Sequence, residues 1–376
     1  MRNKRVLVDI YYLYVAQTGI KTYTASLVES IQAKHTTDFE YIISPSYTKV
    51  KSSQFYRGKT PKWKNLLFQG LYLLRKAIIL PLLTYWYRSD IVFSPDIVSP
   101  LWSRGKKLSV IHDAFFWENP SHYNPHWLKY YLWLLKTSLR RNAQVVTITD
   151  YSKKQIQKYL KMPQLSVHVV YPASNIIAKE QLEDHSIISS PYFLHVGVME
   201  KRKNLVTLIR AFSKFLFEED NKEFQLVLVG QRGPRKELDD YDNIIREIER
   251  LGLEEKVILP GFVSKSELDN YYRHAFAYVF PSLSEGFGMP ILEAFSYMIP
   301  VIISNQGALR EVGGDAVLYP EDDSATAFAQ EMGKLVKDNK VRKSLVERAE
   351  KRLKNFSGSR FLAKLEKVFS TMTLAD

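Results

Sequence analysis

The sequence predicts an α/β protein made of two doubly wound parallel-sheet halves, and three observations carry that expectation. Short β-branched runs alternate with longer helical stretches along the whole chain, the pattern of βαβ units whose parallel sheets are covered by helices. Six such runs fall in each half. Between the halves lies a polar stretch opened by Pro172-Ala173-Ser174-Asn175, and Ile187-Ile188-Ser189-Ser190-Pro191 leads into the next run. At 376 residues the chain is long for one core and comfortable for two.

Taken in order, the runs of the first half are Val6–Ile10, Tyr41–Ser44, Ile91–Ser94, Leu108–His112, Gln144–Thr149 and Val167–Val170. Those of the second are Tyr192–Val196, Gln225–Val229, Val257–Leu259, Ala277–Phe280, Pro300–Ser304 and Ala316–Leu318. The final helix, roughly Arg360 to Met372, has no strand after it and is expected to return to the first domain. The expected domains are 1–172 and 191–358, joined by a linker at 173–190 and followed by a terminal helix over 359–376. Ligands of open parallel sheets bind beyond the carboxyl ends of strands, so the loops that follow each run are where chemistry is sought.

Composition narrows the function. Zero cysteines exclude disulfides, thiolate metal sites and a cysteine nucleophile. Met1 to Arg5 leads straight into the first run with no secretory signal. The most apolar stretch, Ala77 to Tyr87, reads as too short and too proline-interrupted to span a bilayer. The net charge of +13 is unevenly shared. Residues 1–172 carry 25 Lys and Arg against 9 Asp and Glu, whereas residues 173–376 carry 28 against 31.

No acidic residue occurs from Tyr41 to Ser89, while Lys49, Lys51, Arg57, Lys59, Lys62, Lys64, Arg75, Lys76 and Arg88 interleave with aromatic residues. Cations with interfacial aromatics suit an anionic membrane surface, reached through residues 49–107. The plainer reading is a solvated, partly packed helical face. No nucleic-acid motif accompanies the charge, so nucleic acid is not the expected partner.

The most informative segment is Glu285-Gly286-Phe287-Gly288-Met289-Pro290-Ile291-Leu292-Glu293. It follows a strand-like run, turns on two glycines and enters a helix with Pro290 near its first position, where a missing N–H costs little. Such a start leaves unpaired N–H groups and the positive end of a helix dipole outward, which suits a phosphate. The flanking carboxylates suit sugar hydroxyls, although either glutamate alone could serve only the local structure.

Three further features join it. Gly197 to Leu205 holds Lys201-Arg202-Lys203, long cations able to reach both phosphates of a diphosphate. His112-Asp113 ends a buried-looking strand, where a histidine could bind a sugar hydroxyl, shuttle a proton or simply be a satisfied structural residue. Gly19, before a helix starting at about Ile20, would let backbone approach a phosphate, a weak signal alone. His122 and His126 are four apart, but Pro125 spoils a zinc-binding face. Asp240-Tyr241-Asp242 reads as a solvated helix start. No metal site and no cofactor are expected.

Together these motifs resemble glycosyltransferase family 4, the retaining GT-B enzymes. The resemblance rests most on Ser282 to Ala294, which matches the family's E-x7-E motif. It is supported by Gly197 to Asn204, by Gly261-Phe262-Val263 with Leu268 and Tyr272, and by Pro300-Val301-Ile302 running on to Glu311-Val312. The resemblance implies a GT-B architecture, two Rossmann-like domains facing across a cleft. It implies that Glu285 faces the donor sugar, that Glu293 binds the ribose, and that backbone from Gly286, Phe287, Gly288, Met289, Pro290 and Ile291 holds sugar and phosphate. Arg202 and Lys203 would neutralise the diphosphate, which Gly19 would approach. Phe262 and Val263 would border the base, and His112 would contact the sugar near the reacting carbon. Two departures bear on the phosphate contacts: Thr18 stands before Gly19 where paired glycines are frequent, and Val198 follows Gly197 where an arginine often lies nearby.

The resemblance further implies metal-independent, retaining transfer of a hexose from a nucleotide-diphosphate sugar, with UDP-sugar preferred to GDP-mannose, onto a lipid-linked or saccharide acceptor in cell-surface or exopolysaccharide synthesis. The alternatives are a GT-B nucleotide-sugar epimerase, a glycogen-synthase-like enzyme and a non-catalytic binding subunit. The expected location is cytoplasmic, peripheral on the inner face of the plasma membrane. As a loop residue, Glu285 is expected to tolerate replacement by alanine without loss of fold.

Overall fold

The computed structural model describes residues 3–16, 18–34, 38–53, 55, 61–174, 186–217, 221–233 and 236–374. Of the basic stretch, Tyr56, Arg57 and Lys59 lie outside the described residues, as does most of the expected linker. The chain forms two units, one of residues 1–175 with 356–376 and one of 176–355.

The first unit is a six-stranded parallel sheet in the order β2-β1-β3-β4-β5-β6. Its strands are β1 (Lys4–Asp9), β2 (Phe39–Ser44), β3 (Ile91–Ser94), β4 (Lys106–Val110), β5 (Ala143–Thr147) and β6 (Val167–Val169). Val6, Leu7 and Val8 of β1 and all of β3 are buried, as strands covered on both faces must be. Helix Gly358–Leu374 packs here, burying Phe361, Leu365, Phe369 and Met372. The Phe369 ring meets Phe39 and Phe93 edge-on at 5.5 and 5.6 Å.

The second unit is a five-stranded parallel sheet in the order β11-β10-β7-β8-β9. Its strands are β7 (Tyr192–Val196), β8 (Gln225–Val229), β9 (Val257–Gly261), β10 (Ala277–Phe280) and β11 (Val301–Ile303). The twelfth expected run, Ala316–Leu318, makes only a single bridge from Leu318 to Ile302 and extends no further. Two short, separate parallel sheets wound by helices constitute the GT-B fold.

One element departs from the sequence reading. The apolar stretch at Ala77 belongs to a continuous helix from Lys62 to Trp86, long and apolar enough over Trp63–Trp86 to cross a membrane by length and composition alone. The turn Arg75–Ile79 is widened, the Leu80 N–H reaching back to the Arg75 carbonyl. Pro81 supplies no N–H, which would ordinarily break the helix. The carbonyls of Lys76 and Ala77, one turn earlier, instead accept from the Leu101 N–H (3.0 Å) and the Trp102 indole N–H (2.8 Å). With those acceptors satisfied, the helix runs on through the proline.

Candidate active site

The second unit gathers its polar residues at the carboxyl edge of β7 and β10. Gly288 has φ +101° and precedes helix Met289–Ser296, with Pro290 in its first turn. A Cβ at Gly288 would come within 2.8 Å of the Leu309 side chain, so both conformation and space require glycine. This turn sets Glu285 before the helix and Glu293 just over one turn inside it.

Glu285 is not free. Its Oε1 receives the Lys203 ammonium at 2.6 Å, the Arg202 guanidinium at 2.8 Å and the Ser282 hydroxyl at 2.7 Å. Burial alone would push its carboxyl up, but Lys203 and then Arg202 outweigh this and hold it at about 2. Burial likewise pulls Lys203 down, and the attraction of Glu285 offsets only part of that. Arg202 also bonds Glu200 (2.9 Å) and the Ser284 carbonyl (3.1 Å). The two cations therefore face two carboxylates, so a diphosphate has to compete for them. The loops are stitched together by the Leu283 N–H, which donates to the Arg202 carbonyl at 2.8 Å.

Glu293 has a different environment. Ser264 and Glu267 form a capping box that starts helix Lys265–His274. That helix turns Tyr272 inward, and the Tyr272 hydroxyl donates to Glu293 at 2.8 Å. Burial raises the Glu293 carboxyl, and the tyrosine bond offsets this in part. The Tyr272 ring stacks on Tyr297 with centroids 5.3 Å apart. Phe262 follows β9 with its side chain 82% exposed, open to stacking, while Val263 is half-buried.

His195 was not singled out from the sequence. It lies fully buried in β7, its ring stacked against Phe280. Its Nδ1–H donates to the Val279 carbonyl (3.0 Å), which leaves Nε2 a bare acceptor with no hydrogen-bond partner. Burial, then the Lys203 charge, push this histidine down to about 3. Gly197 leaves room beside it: a Cβ there would stand 3.3 Å from Nε2 and 3.8 Å from Lys203 Nζ. The only available signal was a histidine inside an otherwise apolar run.

In the first unit, His112 follows β4, and its Nε2–H donates to the Pro95 carbonyl at 3.0 Å. Burial lowers its pKa. Gly19 belongs to helix Thr18–Ala33, one residue in, rather than to the loop before it, and nothing lies within 4 Å of where a Cβ would stand. Asp240 is buried and receives the Asn243 amide at 2.6 Å, so the start of helix Tyr241–Leu251 is less solvated than its sequence suggests. A surface depression between Phe276, Met298 and Arg342 lies at the amino ends of β10 and β11, away from these residues.

The second unit thus places an ionised glutamate, held by two cations, before a glycine-turned helix start. Residues 178–352 match the family described as "Glycosyl transferases group 1". The chain is 28% identical to "O-antigen chain mannosyltransferase B" of Escherichia coli, over 72% of this chain and 71% of that one. It is 31% identical to "O-antigen chain mannosyltransferase RfbU" of Salmonella typhimurium, over 52% of each, so the match spans about half of that relative's length. Among solved structures it resembles sucrose-phosphate synthase from Thermosynechococcus elongatus, with a TM-score of 0.75 and 16% identity over 100% of both chains. It also resembles WaaG, titled "a glycosyltransferase involved in lipopolysaccharide biosynthesis", with a TM-score of 0.65 and 16% identity over 96% of this chain and 98% of that one.

Proposed function

We propose that this protein is a family 4 enzyme that transfers a hexose, with retention and without a metal, from a nucleotide-diphosphate sugar to a lipid-linked or saccharide acceptor in polysaccharide synthesis. The observation that carries the reading is Glu285, held ionised by Lys203 and Arg202 immediately before the Gly288–Met289 helix start. An ionised carboxylate accepts hydrogen bonds from sugar hydroxyls and does not act as an acid near neutral pH. On donor binding, Arg202 and Lys203 exchange part of their contact with Glu285 for the diphosphate, which frees the carboxylate for the sugar. The backbone of the turn from Gly286 to Met289 takes sugar and phosphate, Glu293 takes the ribose, and Phe262 with Val263 borders the base. In the first unit, Gly19 approaches the diphosphate and His112 contacts the sugar near the reacting carbon. No carboxylate is assigned as a nucleophile; the departing diphosphate accepts the acceptor's proton.

The relatives' names favour a mannosyl donor, which moves GDP-mannose ahead of the UDP-sugar preferred from sequence alone. The positive balance of residues 1–172 supports a membrane-proximal acceptor on the cytoplasmic face. A thermal-shift panel of UDP, GDP, ADP and their sugars tests the reading, because a ligand of the native state raises the melting temperature. Stabilisation by GDP-mannose, followed by mannosyl transfer to a lipid-linked oligosaccharide, is the expected result. A response to none of these nucleotides would overturn it.

A further inference from the structure

The helix Lys62–Trp86 carries apolar side chains on its outer side as well as its inner one. Leu66, Leu74, Ile78, Leu82 and Trp86 recur every four or eight residues along its outer side, and Leu66 and Trp86 are 75% and 81% exposed. Its inner side buries charge beside Phe68, Tyr72 and Leu80. Arg75 and Lys76 are buried and reach the Asp9 carboxylate at 2.8 and 2.7 Å, and Lys76 also reaches Asp96 at 3.0 Å. A helix facing water has a polar outer side instead.

The outer face also continues beyond the helix. Trp102 lies against Tyr85, with ring centroids 5.9 Å apart. Leu134 packs with Phe68 and Tyr72, placing helix Pro125–Ser138 alongside, where Trp133 is exposed. Exposed Lys49, Lys51 and Arg88 belong to the segment that lacks any acidic residue. Apolar and indole side chains accompanied by cations alone complement an anionic lipid surface.

We propose that this face docks in the plane of an anionic bilayer, with its leucines and tryptophans entering the headgroup–acyl boundary. The buried Asp9–Arg75–Lys76–Asp96 cluster holds the helix along the unit, so that it lies on the membrane and does not span it. Length does not decide between the two, because Trp63–Trp86 is long and apolar enough to cross a membrane by length and composition. The ion pairs do: spanning would draw Arg75 and Lys76 away from Asp9 and Asp96 into hydrocarbon, whereas in-plane docking keeps every one of those bonds. The inference deepens the reading of a membrane-proximal acceptor and rests on it.

The test is flotation of the full chain with vesicles of phosphatidylcholine alone and of phosphatidylcholine with phosphatidylglycerol. It is run for the native protein and for Leu66→Ser/Leu74→Ser/Leu82→Ser, all solvent-facing positions. Native protein is expected to float with the anionic vesicles and to be released by alkaline carbonate. The triple variant should keep its melting temperature and lose binding by about tenfold or more, as lost apolar insertion requires. Equal flotation of both proteins, no flotation of either, or retention after the alkaline wash would overturn the proposal. So would a dimer in light scattering that the variant abolishes while neither protein binds vesicles. Transfer to a soluble acceptor without vesicles should be equal in both proteins. Its absence from both would sink the enzymatic reading and leave the flotation result standing.

Discussion

The Lys203 ammonium sits 2.6 Å from the Glu285 carboxylate, with the two side chains only 8% and 12% exposed. A pair this enclosed is part of the structure as well as of the site. Glu285→Ala removes the carboxylate that Lys203 pairs with and leaves Glu200 as the nearby counter-charge of both cations. Breaking a buried pair costs about 3–5 kcal/mol, and the exposure of Arg202 reduces this to about 2–3 kcal/mol. The variant is thus expected to unfold at lower urea and to lose transfer by on the order of 100- to 1000-fold. Adding Lys203→Met should restore much of the stability and none of the activity. Urea titrations beside initial rates check both, and an unchanged urea midpoint would return Glu285 to the role of a simple loop residue.

Acid should weaken the fold in two stages. His195 has its folded pKa lowered to about 3 from 6.5, so the unfolded chain takes up its proton first and stability falls as pH drops below about 6.5. His112 and His168 are lowered in the same direction. Glu285, lowered from 4.5 to about 2, adds its own loss only between those values. His195→Asn can keep the donor to the Val279 carbonyl while removing the titration. Its stability should fall less steeply between pH 6.5 and 4.5, by up to about 1.4 kcal/mol per pH unit. Identical slopes for the two proteins would remove His195 from this account.

What could be read from sequence follows the range of the forces involved. Strand runs are local, and eleven of the twelve became strands; Ala316–Leu318 failed because only Leu318 finds a partner. Glu285, Arg202 and Lys203 were visible as residue types in loops. Their mutual neutralisation was not, since 82 residues separate Lys203 from Glu285 and no local pattern reports the distance. The cluster of Asp9, Arg75, Lys76 and Asp96 was hidden for the same reason, and its two cations were counted among the solvent-facing basic residues. The long helix was hidden by Pro81, whose cost is relieved by an indole 21 residues later.

Tyr272 and Glu293 form the second polar pair of the site, at 2.8 Å. Tyr272→Phe removes a hydrogen-bond donor that opposes the upward push of burial on Glu293. The carboxyl then protonates more readily and accepts less strongly from a ribose hydroxyl than a carboxylate does. Donor affinity is expected to fall about tenfold, the worth of one bond to a charged group, with kcat little changed. The loss should grow as pH falls from 8 to 6. A dissociation constant that is the same in both proteins across that range would take Glu293 out of the nucleotide site.

Lys76 is wholly buried between two carboxylates, Asp9 at 2.7 Å and Asp96 at 3.0 Å. The acids differ. Burial pushes both up, but at Asp9 the cations Lys76 and Arg75 win and hold it low, whereas Asp96 stays raised. Lys76→Met roughly conserves volume and strips the cluster of the cation they share, at a cost of about 3–5 kcal/mol at neutral pH. Asp96, folded above its unfolded value, binds its proton first in the native state, so its contribution to stability rises as pH falls. Without Lys76 both carboxyls shift further upward, and the deficit of the variant should shrink between pH 7.5 and 5.5. Lys76→Met/Asp96→Asn should recover part of the loss at pH 7.5 and show less of that pH dependence. A deficit that stays constant with pH would mean that Lys76 acts through packing and that the charges are incidental.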